Sequence, residues 1–242
     1  MKNYLKNQEL LTKNYVYSKE MEHDACGVGL IASTEGKKSR QVVNYGIEAL
    51  KAVWHRGAVD ADGKTGDGAG IHLEIPRDFF IEKIEVTGHD YDKSEICVGM
   101  IFLPRNDYSS QESCKTIVES ELTKNNFSIY GWRQVPVNPK VLGEKALQTM
   151  PEIIQVLFKS NDTNLLDKEL ERKIYETRKK IENKAFDLSL NNFYICSISS
   201  KSIIYKGMFL AESIADFYLD LKDKRFVSRF VIFHQRFSTN TA

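Results

Sequence analysis

Short apolar runs of strand length alternate along the chain with longer stretches whose apolar residues recur at helical spacing. Apolar runs bounded by Gly, Pro, Asn or Ser predict strands. The predicted strands cover residues 27–32, 71–75, 96–103, 127–135, 153–158, 193–199, 202–209 and 231–233. The turn residues at 199–201 predict that the strands at 193–199 and 202–209 form a hairpin.

The helical pattern is clearest after Ser39, a residue type that favours the N-cap position. Further helices are predicted over residues 109–124, 165–184 and 214–221. Strand pairs interrupted by helices favour an α+β sandwich over a doubly wound parallel sheet. Residues 1–25 lack clear periodicity and are interpreted as a leader, which leaves residues 26–242 as a single domain.

Composition and charge narrow the class of protein. The 242 residues are 42% hydrophobic and 28% charged, as in an ordinary globular chain that can bury a sizeable core. A formal net charge of +1 gives no reason to expect nucleic acid or a membrane surface as a partner. The polar N-terminus is unlike a signal peptide, and no apolar run reaches membrane-spanning length. We therefore expect a cytoplasmic protein, or a stromal one if it comes from a plastid.

The spacing of the four cysteines indicates free thiols in a reducing compartment rather than a metal site. No two of them form a C-x-x-C pair, so no metal is expected. Cys26 stands between the polar leader and the first predicted strand. Cleavage before Cys26 would expose an α-amine with a pKa of roughly 7.7–8.0, which can act as a general base for the thiol. A buried, inert cysteine is the alternative interpretation of Cys26 considered alone.

A loop rich in Gly and Asp follows the first helix. It contains Gly63-Lys64-Thr65, but Ala58 stands where a phosphate-binding loop needs its first glycine, so nucleotide binding is not favoured. Asp60, Asp62 and Asp67 lack the spacing of a calcium loop and are interpreted as solvated loop acids. The loop lines a site or only turns the chain, and its sequence favours neither.

Two arginines and a histidine are candidate binding groups. Arg236 follows an apolar strand and precedes small hydroxyl and amide residues, which suits recognition of a carboxylate by a guanidinium. Arg56 follows a helix and precedes a glycine. Taken singly, Arg56 and Arg236 are more typical of surface arginines, and His234 is more typical of a partly buried, hydrogen-bonded histidine.

Together these segments resemble the N-terminal glutaminase domain of glutamate synthases, a class II glutamine amidotransferase of the N-terminal-nucleophile hydrolase superfamily. The resemblance is carried, in family order, by residues 26–32, 55–58, 61–68, 130–133, 205–207 and 234–241. It implies a four-layer αββα sandwich, a propeptide at residues 1–25 and an amidotransferase domain at 26–242. The family places its oxyanion hole and an acid for the substrate amine beyond Ala242, so the resemblance implies a sandwich that is incomplete at its C-terminus and a weak catalyst in isolation.

The resemblance also implies roles for individual residues and partners. The Cys26 thiolate would attack the amide of L-glutamine, with Arg236 binding the substrate α-carboxylate and Arg56 lining the pocket. Ammonia would pass to a synthase domain of the same polypeptide, which makes glutamate from 2-oxoglutarate with FMN and an iron–sulfur cluster. Electrons would come from NADPH or ferredoxin, through a small electron-transfer subunit in some cases. Two alternatives remain: an amidase of the same superfamily acting on another amide, and a non-catalytic docking module.

Overall fold

Two four-stranded antiparallel sheets form the centre of the molecule. The computed structural model describes residues 2–14, 27–89, 96–162 and 164–236. The first sheet has the strand order β1 (Gly27–Ala32), β8 (Phe230–Gln235), β2 (Ala69–Glu74) and β7 (Ser202–Gly207). The second has the order β4 (Phe127–Gln134), β5 (Glu152–Ser160), β3 (Cys97–Leu103) and β6 (Tyr194–Ser199). The α+β class with a two-sheet core is thereby confirmed.

Helices connect the strands and pack on them. The helices are α1 (Lys2–Asn14), α2 (Arg40–Ala52), α3 (Arg77–Glu85), α4 (Tyr108–Lys124), α5 (Glu144–Gln148), α6 (Asp167–Asp187) and α7 (Ile214–Phe217). Short 3-10 turns lie at Trp54–Arg56, Pro139–Val141, Ala211–Ser213 and Leu219–Lys222. Helix α2 begins as predicted, because the Ser39 hydroxyl accepts a hydrogen bond from the Val42 amide at 3.2 Å. Among the described residues, no helix is long and apolar enough to cross a bilayer.

Strand β3 shows how the alternation of side chains builds two apolar clusters. Val98 and Met100 point toward the first sheet and join a cluster that includes Ile71 and Tyr205. Ile101 and its neighbours on the other face join a second cluster with apolar residues of α4 and α6. The second sheet is therefore buried on both faces, by the first sheet and by two helices.

The first sheet is buried mainly on one face. Val231 and Phe233 of β8 lie on this face and are buried, and α2 packs against β8 and β1. On the opposite face Val28, Leu30 and Ile232 are exposed. None of the helices in the described part of the chain covers these three side chains.

A buried ion pair links the two sheets. The Arg133 guanidinium donates two hydrogen bonds to the Asp220 carboxylate, at 2.6 and 2.7 Å, and a third to Gln155 Oε1 at 2.7 Å. The Tyr205 hydroxyl also donates to Asp220, at 3.2 Å. Arg133 belongs to β4 of the second sheet and Tyr205 to β7 of the first, so the network fixes one sheet against the other.

The predicted hairpin and the predicted length of one helix are wrong, and three helices of the described ranges were not predicted. β6 and β7 do follow one another through a turn, but β6 pairs with β3 and β7 with β2, so they belong to different sheets and form no hairpin ladder. The predicted helix at 214–221 is broken at Tyr218, whose φ of −90° and ψ of 98° are extended. Helices α1, α3 and α5 were not predicted, and α1 lies within the residues interpreted as a leader.

Replacing Asp220 by alanine should destabilise the fold strongly, because the Arg133 charge would remain buried without its partner. We expect the free energy of unfolding to fall by about 3–5 kcal/mol. The matched control is Asp216→Ala, since Asp216 pairs with Lys222 while both side chains are more than half exposed. That change should cost less than about 1 kcal/mol. Urea unfolding followed by circular dichroism measures both, and equal losses would contradict the assigned role of the buried pair.

Candidate active site

The site begins with one rung of the first sheet, where Gln235 of β8 pairs with Gly27 of β1 and with Ala69 of β2. Residues paired across antiparallel strands point to the same face of the sheet. The Gln235 side chain is 1% exposed on that face, and its Cβ lies 3.3 Å from the position a Cβ would take on Gly27. This rung places the chain segments that follow Cys26 and precede Arg236 side by side.

Residues 57–68, here called the site loop, fold back on themselves before β2. Val59 and Gly66 form an isolated antiparallel bridge, and the Asp67 amide donates to the Ala58 carbonyl at 3.3 Å. The Thr65 hydroxyl accepts from the Ala146 amide at 3.4 Å, and Lys145 pairs with Asp60 at 2.7 Å. The site loop is thus tied at its base to itself and at its tip to α5.

The Asp62 carboxylate binds the tip of the site loop, and its hydrogen bonds argue against phosphate binding by this loop. Its carboxylate accepts from the amides of Lys64 and Thr65 at 2.9 and 2.7 Å and from the Thr65 hydroxyl at 2.5 Å. These hydrogen bonds hold the pKa of Asp62 far below its usual range, and those from Thr65 have the largest effect. A phosphate-binding loop would offer the same amides to its ligand, and here they are already used.

Arg236 departs sharply from the direction of β8. Its φ is +76°, a left-handed conformation that is uncommon for a residue other than glycine. Its amide donates to the Gly68 carbonyl at 2.6 Å, and its Nε lies 3.4 Å from Asp67 Oδ2. The turn after β8 therefore directs the guanidinium over the end of the site loop.

Two buried oxygens lie near Gly57 in the site loop. Gln235 Oε1 and Asp67 Oδ1 are buried, and neither has a hydrogen-bond partner within the described ranges. A Cβ on Gly57 would lie 2.1 Å from Gln235 Nε2 and 3.3 Å from Asp67 Oδ1. A side chain at position 57 would displace the buried Gln235 amide, so the glycine lets the two polar side chains approach the backbone.

Arg56 lies at the end of the 3-10 turn, with its stem on the start of β1. Its Cβ and Cγ are 3.2 and 3.3 Å from the position of a Cβ on Gly27, and the residue is exposed. The two arginines predicted from the sequence therefore both lie beside the Gly27–Gln235 pair. Their roles in binding stay predictions.

The predicted nucleophile, Cys26, lies outside the described residues, as do residues 237–241 of the last motif. The other three cysteines, Cys97, Cys114 and Cys196, are buried and form no disulfide. Burial raises the pKa of Cys114 to about 11 and that of Cys196 to about 12. Neither of these two thiols is suited to form a nucleophilic thiolate near neutral pH.

His234 lies on the face of the first sheet opposite to Gln235. It pairs in register with Val28 and Gly70, and it is half-buried. Burial lowers its pKa. Across the described ranges, no group of three or more His, Cys, Asp or Glu side chains is arranged to hold a metal ion.

An apolar cavity of about 330 Å³ lies between the ends of the two sheets. Phe102, Met150, Tyr194, Phe209 and Phe217 are among the residues that line it. Arg56, Asp67, Gln235 and Arg236 do not line it, so this cavity is separate from the polar cluster built on the Gly27–Gln235 rung.

Sequence reasoning found the two arginines but missed Asp67 and Gln235. The sequence predicts a solvated loop acid at Asp67, and the structure corrects this, because the Asp67 side chain is largely shielded and paired with Arg236. Asp62 was grouped with it and is exposed but fully engaged by hydrogen bonds. The glycines on both sides of Asp67 were the available signal, since small neighbours allow a loop acid to approach other backbone closely.

Comparison with known proteins identifies the class. A family model described as "Glutamine amidotransferases class-II" matches residues 26–242. The chain therefore belongs to the class II glutamine amidotransferases.

Named relatives are glutamate synthases. Over 235 residues, 97% of this chain, it is 54% identical to the glutamate synthase [NADPH] large chain of Azospirillum brasilense. Over 91% of the chain it is 41% identical to ferredoxin-dependent glutamate synthase 1 of Arabidopsis thaliana and 39% identical to the ferredoxin-dependent enzyme of Spinacia oleracea. The chain spans 15% of the length of the first of these relatives and 14% of the other two.

The buried cysteines should resist alkylation in the folded protein. At pH 8 a thiol whose pKa is raised to about 11 or 12 has almost no thiolate, and iodoacetamide reacts with the thiolate. Peptide mass spectrometry should show slow labelling of Cys97, Cys114 and Cys196 in native buffer and fast labelling in concentrated urea. Equal rates in the two conditions would contradict the burial described here.

Proposed function

We propose that this chain is the glutaminase region of a glutamate synthase, in which Cys26 hydrolyses the amide of L-glutamine to glutamate and ammonia. The observation that carries the proposal is the pairing of Gly27 with Gln235. It sets the residue after Cys26 beside the residue before Arg236, with the Arg56 stem against the same glycine. A nucleophile and two cations at one sheet end suit an amide substrate that carries a carboxylate.

The chemistry begins with removal of residues 1–25. The α-amine of Cys26 then takes the thiol proton, and the thiolate attacks the amide carbon of glutamine. The protonated α-amine gives its proton to the leaving nitrogen, the C–N bond of the tetrahedral intermediate breaks, and ammonia departs, leaving a thioester on the Cys26 sulfur. Water, deprotonated by the same amine, attacks the thioester and frees glutamate and the thiol.

Arg236 is the proposed receptor for the substrate α-carboxylate. A guanidinium binds a carboxylate through two parallel N–H bonds, which fixes its orientation as well as its charge. The left-handed backbone at Arg236 supports this role, because strained conformations concentrate at binding sites. Arg56, whose stem lies against Gly27, adds a second positive charge and is proposed to line the same pocket.

The wider reaction follows from the relatives. We propose that ammonia passes to a synthase domain of the same polypeptide, which combines it with 2-oxoglutarate and reduces the product with FMN and an iron–sulfur cluster. The relatives named above use NADPH or ferredoxin, and the higher identity to the NADPH-dependent one favours NADPH with a small electron-transfer subunit. The proposed location is the cytoplasm, or the stroma if the source is a plastid.

Processing is the first test of the proposed chemistry. Intact-mass analysis of the mature full-length protein should show a chain that begins at Cys26, because the α-amine base exists only after cleavage there. Glutamine hydrolysis by a mature protein that retains residues 1–25 would contradict the α-amine mechanism. A mature protein that retains residues 1–25 and does not hydrolyse glutamine would favour the docking-module alternative.

Replacing Cys26 by alanine should abolish glutamine-dependent glutamate synthesis in the full-length enzyme. Synthesis from added ammonia should largely persist, because the thiol is needed only to release ammonia. Cys114→Ala is the control and should retain glutamine hydrolysis, since the Cys114 thiol is buried among apolar residues between α4 and the second sheet. Near-normal hydrolysis of glutamine by the Cys26→Ala variant would overturn the proposal, and cleavage of a different amide by the wild type would favour the alternative amidase.

A further inference from the structure

We propose that Asp67 is a positioning residue that orients the guanidinium of Arg236 for binding the substrate carboxylate. The inference rests on the proposed function, in which Arg236 binds that carboxylate. Asp67 itself would not touch the substrate.

The contact between the two side chains is made at the base of the guanidinium. Asp67 Oδ2 lies 3.4 Å from Arg236 Nε, and the two side chains are 22% and 35% exposed. The negative charge of Asp67 beside Nε favours guanidinium orientations that keep the two groups close. In the proposed complex the substrate carboxylate binds through two parallel N–H bonds from the guanidinium, and their direction depends on that orientation.

A backbone hydrogen bond also joins the end of the site loop to the turn after β8. The Arg236 amide donates to the carbonyl of Gly68, the residue after Asp67. Arg236 has to adopt a φ of +76° to make this turn. Backbone and side chain of Arg236 are thus both fixed by consecutive residues of the site loop, which is more than a surface ion pair would need.

Asp67 is itself held in one place. Its amide donates to the Ala58 carbonyl at 3.3 Å, and its Oδ1 lies against Gly57. Oδ1 is buried and has no hydrogen-bond partner among the residues described. Burying a carboxylate oxygen in this way costs free energy, so stability alone does not account for an acid at this position.

The test compares Asp67→Asn with Asp60→Asn in the full-length enzyme. Asparagine keeps the shape of the side chain and removes its charge. Asp60 is the matched control, since it lies in the same loop but pairs with Lys145 rather than with Arg236. We expect Asp67→Asn to raise the KM for glutamine roughly tenfold with kcat changed less than about twofold, and Asp60→Asn to leave both unchanged.

A double-mutant cycle with Arg236→Lys separates positioning from an independent effect. Lysine keeps the charge but lacks the paired donors, so Arg236→Lys alone should raise the KM roughly ten- to a hundredfold. If Asp67 acts through Arg236, adding Asp67→Asn to Arg236→Lys should raise the KM little further. Increases that multiply in the double variant would overturn the inference.

A direct binding measurement keeps the test independent of turnover. In the Cys26→Ala enzyme, adding Asp67→Asn should raise the dissociation constant for L-glutamate roughly tenfold. In the Asp67→Asn single variant, the rate of Cys26 alkylation by iodoacetamide should stay normal. An unchanged KM and unchanged glutamate binding in the Asp67→Asn variants, alongside a wild type that hydrolyses glutamine, would overturn the inference alone. A wild type without glutamine hydrolysis would instead overturn the proposed function.

Discussion

The insertion of β8 between β1 and β2 is the constraint on which the rest of the site depends. The residues on the shared rung, Gly27, Gln235 and Ala69, come from three distant parts of the chain. Because side chains alternate between faces with a period of two, a slip of one residue would move Gln235 to the other face and change the direction in which the chain leaves the strand. The register of β8 therefore sets the position of Arg236 relative to the residue that follows Cys26.

Local rules of backbone conformation and of polar pairing are broken beside this rung. Arg236 has a left-handed backbone, and Asp67 and Gln235 bury oxygens without partners in the described part of the chain. In the core, by contrast, the Arg133–Asp220 network satisfies its charges with short hydrogen bonds. A sequence that is consistent at most positions can carry such exceptions at a binding site, where a polar group has to be held ready for a ligand.

Local signals in the sequence predicted most of the elements. Ser39 and the apolar repeat after it predicted α2, and apolar runs predicted the eight strands of the described ranges to within a few residues. The turn at 199–201 was also a true local reversal, but the partner of β7 is set by contacts with β2, which are remote in sequence. Strand pairing of that kind leaves no local pattern, and this is why the predicted hairpin was wrong.

In the candidate site, too, local motifs revealed some residues, while contacts between remote segments determine the role of others. Arg56 and Arg236 were found through motifs that a single segment carries. The role of Asp67 depends on a turn at Arg236 that brings together residues about 170 positions apart along the chain, and no spacing rule encodes it. Helix α3 was missed for a simpler reason, since nine residues after a proline offer little periodicity to recognise.

The central claim is that the start of β1 and the turn after β8 form one glutamine site. It can be tested with a crystal structure of the full-length protein treated with an L-glutamine analogue whose amide is replaced by an electrophilic ketone. We expect a covalent bond to the Cys26 sulfur, with the analogue's α-carboxylate within hydrogen-bonding distance of the Arg236 guanidinium. An adduct on Cys97, Cys114 or Cys196, or a carboxylate bound away from Arg236, would contradict it.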